Sequence, residues 1–235
     1  MKKKAVIETP VKSDIAISAS KKEKPEKGKL RENVEAIVIA IILALLIRTF
    51  IVQAFKIPSG SMIPTLLVGD HILVSKFIYG VKIPFLNITI IPGADPKYND
   101  IVVFEYPKDP QKDYIKRVVG LGGDIVEIKN KKVYINQKLV DDPHAYFTNE
   151  KASPLISRPR DNYGPVKVPE NSIFVMGDNR DHSYDSRFWG FVETDALKGK
   201  AFIVYFSWDT STFDWTFSEF FNIKVRWSRL GHLLK

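Results

Sequence analysis

Ser59 and Ser61 stand one residue apart in Pro58-Ser59-Gly60-Ser61-Met62-Ile63-Pro64-Thr65-Leu66. The two flanking prolines stiffen this bend and leave its hydroxyls on show. It follows directly on the only long apolar run of the chain, so a serine here could act on whatever lies at that run's end. A serine hydroxyl is a poor nucleophile until a base takes its proton. The four histidines, His71, His144, His182 and His232, fall in no triad motif. Gly-x-Ser-x-Gly is absent around Ser61, and Pro64 fills the lysine position of a Ser-x-x-Lys pattern. The candidate base is Lys116, in the strand-like stretch Asp113-Tyr114-Ile115-Lys116-Arg117-Val118-Val119-Gly120. Strand alternation sends Lys116 and Arg117 to opposite faces. Burial disfavours the ammonium form, and a neutral amine can accept a proton from serine.

A third segment, Met176 to Gly190, is dense in Asp, Asn, Ser and Arg and closes on Phe188-Trp189-Gly190. Such side chains bond to the backbone and to one another, which builds a rigid polar scaffold. Without cysteine, thiol nucleophiles, disulfides and thiolate metal sites are excluded. The histidines show no metal-ligand spacing, so neither a metal nor a cofactor is expected.

These residues need elements to hold them. The chain has 235 residues, enough for one substantial domain and an anchor. Its net charge of +8 is uneven: residues 1–33 carry ten Lys or Arg against five acids. No aromatics interleave with these lysines, which argues against nucleic acid and for a disordered cytoplasmic tail. Ala36 to Ile47 is unbroken apolar sequence, and 34–55 is expected to be one transmembrane helix with Glu35 and Arg48 as blemishes. The long polar lead argues against a cleaved signal peptide. Residues 56–235 would then form an extracytoplasmic domain.

Strands are expected at His71–Phe77, Ile101–Tyr106, Asp113–Val119, Asp124–Ile128, Lys132–Ile135, Ser172–Met176 and Lys200–Phe206, with Lys129-Asn130-Lys131 closing a hairpin. The fold class is therefore mainly β, an antiparallel sheet or barrel-like catalytic domain with a β-rich insertion. Residues 136–170, polar and proline-rich, read as an insertion or flap. Aromatic residues at 208–217, with Phe220, Phe221 and Trp227, could meet lipid headgroups or finish the core.

Taken together, three segments resemble bacterial type I signal peptidases, membrane-bound Ser/Lys proteases that remove signal peptides from exported proteins. They are Pro-Ser-Gly-Ser-Met-x-Pro-Thr-Leu, Asp-Tyr-Ile-Lys-Arg-Val-Val-Gly and Gly-Asp-Asn-Arg-Asp-x-Ser-x-Asp-Ser-Arg-x-Trp-Gly, in the family's order. The resemblance implies Ser61 as nucleophile and Lys116 as general base. It implies an oxyanion hole from the Ser61 N–H and the Ser59 hydroxyl, and Ser183 orienting the Lys116 amine. Asp178, Asp185 and Arg187 would support the site. Cleavage after small residues at −1 and −3 is implied, with Met62 and residues near Ile115 lining two shallow apolar pockets. The implied partners are exported preproteins and the phospholipid membrane, with the enzyme monomeric in the plasma membrane. The chain departs from the family at Asn99 and Gly122, where glycine and proline are usual, and at His182, where asparagine is common.

Two rivals stand beside this reading. A self-cleaving repressor with a related dyad would need a DNA-binding helical domain in place of the anchor. A tethered β-domain that binds without cutting would have no reason to keep both Ser61 and Lys116.

Overall fold

The computed structural model describes residues 29–82, 89–91, 93–148, 159–209 and 224–234. Contacts divide the chain into two compact units, Met1–Ile42 and Leu43–Lys235. Helix α1 (Lys29–Leu46) is followed by a π-helical turn, Ile47–Ile51. Its apolar side chains are exposed, Ile39 at 65%.

The helix expected over 34–55 is not what forms. Val52–Lys56 is a strand, β1, paired antiparallel with β2 (Asp70–Ser75) from Val52↔Ser75 to Lys56↔His71. A run of apolar residues suits a strand as well as a helix, and here the sheet claims its end. Lys29, Arg31, Glu32 and Glu35 occupy the first turns of α1, Arg31 pairing with Glu35 at 3.0 Å. The uncharged remainder up to Leu46 is about 17 Å long, against the ~30 Å of a bilayer core. Among the described residues no helix is long and apolar enough to cross a membrane.

The larger unit is antiparallel β structure. Short strands β3 (Val81–Lys82) and β4 (Thr89–Ile91) pair with each other. β5 (Ile101–Tyr106) and β6 (Asp109–Gly120) form a hairpin whose register sets Val102 opposite Lys116 and Ile101 opposite Arg117. β7 (Ile125–Lys129), β8 (Lys132–Ile135), β9 (Lys138–Leu139) and β10 (Tyr163–Lys167) make a separate four-stranded sheet in the order β10-β7-β8-β9. The β7–β8 turn has Asn130 and Lys131 both at positive φ, the tight geometry that matches strand twist.

The remaining strands are β11 (Ser172–Met176), β12 (Val192–Glu193), β13 (Leu197–Ser207) and β14 (His232–Leu233). The main sheet runs β1-β2-β13-β5-β6-β11-β12, with β14 on β13. Among the described residues that order does not return on itself, so the sheet is open and no barrel closes. The segment read as an insertion is partly regular: β9 and β10 within 136–170 add to β8 and β7, so the smaller sheet begins before that segment. Residues 149–158 and most of the C-terminal aromatics, 210–223, lie outside the described residues.

Three apolar clusters fill the interior. One gathers Ile57, Met62, Leu66, Ile72, Val74, Ile101, Val103 and Leu234. A second gathers Val102, Phe104, Val118, Ile173, Val175 and Trp189, and the third packs β7 and β8 against Phe174 and Met176. Two of the clusters receive residues from β5, so the β5–β6 hairpin that carries Lys116 sits at the centre of the packing.

Candidate active site

The bend after β1 is held as a compact hydrogen-bonded loop. The Ile57 N–H donates to the Asp70 carbonyl at 2.8 Å and the Gly69 N–H returns to the Ile57 carbonyl at 3.0 Å. Within it the Leu66 N–H reaches the Met62 carbonyl at 2.9 Å, while Met62 and Leu66 are fully buried. The apolar side chains pull the loop onto the core and leave Ser59 exposed and Ser61 half-buried.

Lys116 enters from β6. It is 4% exposed, and its Nζ lies 2.9 Å from Ser61 Oγ and 2.9 Å from the Ile115 carbonyl oxygen. Burial lowers its pKa from 10.5 to about 8, although the charges of Asp185 and Asp178 pull it back up. A substantial fraction of neutral amine near pH 8 is what a general base requires. The Tyr114 ring lies beneath the amine, 5.4 Å away at its centroid.

Arg117, the neighbour, is fully buried and grips Asp178 with two bonds, Nε to Oδ1 at 2.8 Å and Nη2 to Oδ2 at 2.7 Å. A planar fork on a carboxylate is the geometry that offsets desolvation best. Its Nη1 donates to the Asn99 carbonyl at 2.8 Å. Asn99 holds a φ of 69°, a left-handed conformation that asparagine tolerates, so glycine is not needed there. Thr65 Oγ1 donates to Asp178 Oδ2 at 2.5 Å, which ties the serine loop to the same ion pair.

The 176–190 segment forms the scaffold. Asp185 takes Arg187 on both oxygens, Nε at 2.8 Å and Nη2 at 2.8 Å, and accepts the Gly177 N–H at 3.1 Å. Burial alone would raise the Asp185 pKa. The Arg187 guanidinium and these donors outweigh it and hold the carboxyl below its usual range. Asn179 positions the nucleophile loop directly: its N–H donates to the Ser61 carbonyl at 3.1 Å and its Nδ2 to the Gly60 carbonyl at 3.0 Å. At Gly177, a Cβ would collide with the Ser61 carbonyl oxygen and Ser183 Oγ.

Ser61, Lys116, Asp178, Asp185 and Arg187 are thus brought into one connected network. Ser183 is buried, but the partners of Lys116 Nζ are Ser61 and Ile115, not Ser183. Ser183 Oγ meets no hydrogen-bond partner among the described residues, yet lies near enough to Asp185 to help keep that carboxylate charged. The Ser61 N–H and the Ser59 hydroxyl make no hydrogen bond among the described residues. His182 is exposed, and its Nε2 lies 3.2 Å from Thr148 Oγ1.

Arg117, Asn179, Thr65 and Gly177 were not singled out from sequence. Arg117 had a signal in its place beside Lys116 on a strand. The others act through a backbone carbonyl, a carboxylate from another segment or the lack of a side chain, none of which sequence displays.

What the arrangement can do is acyl transfer. A hydroxyl sits against a buried amine poised to take its proton, beside two possible donors for a developing oxyanion.

The family model described as "Signal peptidase, peptidase S26" matches residues 30–208. The chain is 42% identical over 197 residues to a signal peptidase I of Pseudomonas aeruginosa, covering 72% of this chain and 69% of that protein. It is 40% identical over 192 residues to a probable signal peptidase I-2 of Synechocystis, covering 79% and 78%. With a signal peptidase I of Aquifex aeolicus it shares 35% over 229 residues, covering 76% and 85%.

Proposed function

Because the chain belongs to the signal peptidase family, peptidase S26, and is thereby a hydrolase that removes signal peptides from preproteins, we propose that it works as a Ser61/Lys116 serine endopeptidase. The observation that carries this reading is the 2.9 Å approach of a buried lysine amine to the Ser61 hydroxyl. Neutral Lys116 takes the Ser61 proton as Oγ attacks the carbonyl of the scissile bond. The oxyanion formed is met by the Ser61 N–H and the Ser59 hydroxyl, a term worth about 3 kcal/mol per donor. Collapse breaks the C–N bond, and the Lys116 ammonium passes its proton to the leaving amine. The acyl group rests on Ser61 until water, deprotonated by Lys116, attacks it; the C–O bond to Ser61 then breaks, Lys116 returns the proton to Ser61 Oγ, and the carboxylic acid leaves and ionises.

Asp178, Asp185 and Arg187 act through the scaffold. Met62 and Ile115, packed in one cluster, would border the apolar pockets for small −1 and −3 residues. The apolar side chains exposed along Val34–Ile47 support attachment of this segment to a membrane. Anchoring would confine enzyme and preprotein to one surface and raise their effective concentration.

The test is cleavage of a preprotein with an Ala-x-Ala exit in detergent plus phospholipid. Ser61→Ala and Lys116→Ala should be inactive, while His182→Ala should still cut after the −1 alanine. Binding of the preprotein without cleavage by the unaltered enzyme would reject the reading in favour of a tethered binder.

A further inference from the structure

The loop that carries Ser61 is also held from the far end of the described chain. Arg229 Nη2 donates to the Thr65 carbonyl at 2.8 Å. The same guanidinium spans the carboxylate of Asp70, with Nε at 3.0 and 3.1 Å from the two oxygens and Nη2 at 2.5 Å from Oδ2. Asp70 is fully buried and closes the loop through the Leu67 N–H at 2.8 Å and the Ser207 hydroxyl at 2.6 Å. One turn earlier, Arg226 Nη1 donates to the Val68 carbonyl at 2.8 Å. Leu234 joins the apolar cluster that contains Met62 and Leu66.

Thr65 is therefore fastened on two sides. Its hydroxyl goes to Asp178, the partner of Arg117 on the lysine's strand, and its carbonyl goes to Arg229. We propose that Arg229 is a positioning residue for Ser61, holding the 61–70 loop so that Oγ stays aligned with Lys116; this rests on the dyad reading above. Removing the guanidinium leaves the Asp70 carboxylate buried with only neutral donors and the Thr65 carbonyl without a donor from the C-terminal segment. The loop then relaxes toward water, because an unpaired buried charge is costly. A displacement of about 1 Å at a reacting atom can lower the rate a hundredfold. Arg229 is not among the charges acting on Lys116, so the pKa of the base should not move.

The experiment compares full-length wild type, Arg229→Ala and Arg229→Lys in detergent plus phospholipid, with rates divided by the folded fraction from near-ultraviolet circular dichroism. For Arg229→Ala, kcat should fall at least tenfold with KM within twofold and the pH midpoint unchanged. Arg229→Lys keeps a charge for Asp70 but loses the fork. It should recover folding more fully than kcat. Hydrogen exchange of a peptide covering 59–69 should rise in Arg229→Ala while the β5–β6 hairpin stays protected. An unchanged kcat per folded molecule, or unchanged exchange of that peptide, overturns the proposal. If wild type itself fails to cut, the dyad reading is what falls, and the exchange measurement still decides whether Arg229 holds the loop.

Discussion

Lys116 and Ser61, 55 positions apart in the chain, meet at 2.9 Å with the lysine almost wholly removed from solvent. Among the described residues no carboxylate is bonded to the amine: its partners are a hydroxyl and a backbone carbonyl, and the charges that act on it are those of Asp185 and Asp178. Burial therefore dominates, and the amine gives up its proton more readily than an exposed lysine does.

The first expectation is a pH profile. With a pKa of about 8, Lys116 is mostly ammonium in acid and mostly amine in alkali. The rate kcat/KM should climb roughly tenfold per pH unit below that midpoint and level off above it. Stopped assays between about pH 6 and pH 10 would show it, and a flat acid side would remove Lys116 as the base.

The same burial makes Lys116 costly to the fold. Between about pH 8 and 10.5 the unfolded chain holds this proton and the folded one does not, so stability from this group rises with pH across that window. Below pH 8 the full cost is present. Lys116→Met should therefore be more stable than wild type at pH 7, by on the order of 2 kcal/mol and with a higher melting temperature, and the gain should shrink toward pH 10.5. Calorimetry at the two pH values checks this; an equal or lower melting temperature at pH 7 would contradict it.

Gly177 leaves no room for a methyl group beside the Ser61 carbonyl and Ser183. The first of these is held by the Asn179 N–H. Gly177→Ala should cost about 1–3 kcal/mol of stability by overpacking and lower kcat a hundredfold or more. Urea titration with parallel rate assays would report both; near-normal activity would show that the loop adapts.

The Arg117–Asp178 pair has no exposed atom on either side chain. Asp178→Ala strands a buried guanidinium and releases Thr65, so a loss of about 3–5 kcal/mol is expected. Replacing both partners, Arg117→Met with Asp178→Leu, should cost less than the single change. Equilibrium unfolding of wild type and the two variants decides it, and a double variant less stable than Asp178→Ala would contradict it.

Much of this was legible before any coordinates. Ile101–Tyr106, Lys132–Ile135 and Ser172–Met176 form strands with the bounds expected, because alternation and flanking turn residues marked both ends. The hairpin at Lys129-Asn130-Lys131 formed as well. Ser61 and Lys116 stood out because their flanking patterns were distinctive. Val52–Lys56 did not, since an apolar stretch has no period of its own and only its partner β2 makes it a strand. Sheet order and closure depend on pairings between distant segments, and Arg229 matters through Asp70, 159 residues away in sequence. Such roles exist only once the chain has folded.

The place of β13 in the main sheet bears on the order of assembly. β1 and β2, which flank the Ser61 loop, are hydrogen-bonded into one sheet with β5 and with β6, which carries Lys116, by way of β13 lying between them. The contact that seats β13 on β2 joins Ser207 to Asp70 across 137 positions. Loops of that length close slowly, and domains grow from their amino end during synthesis. Until β13 is made and docked, the strands flanking the nucleophile and the strand carrying the base are expected to lack the pairing that joins them in one sheet. A nascent chain released before β13 is made should therefore lack hydrolytic activity.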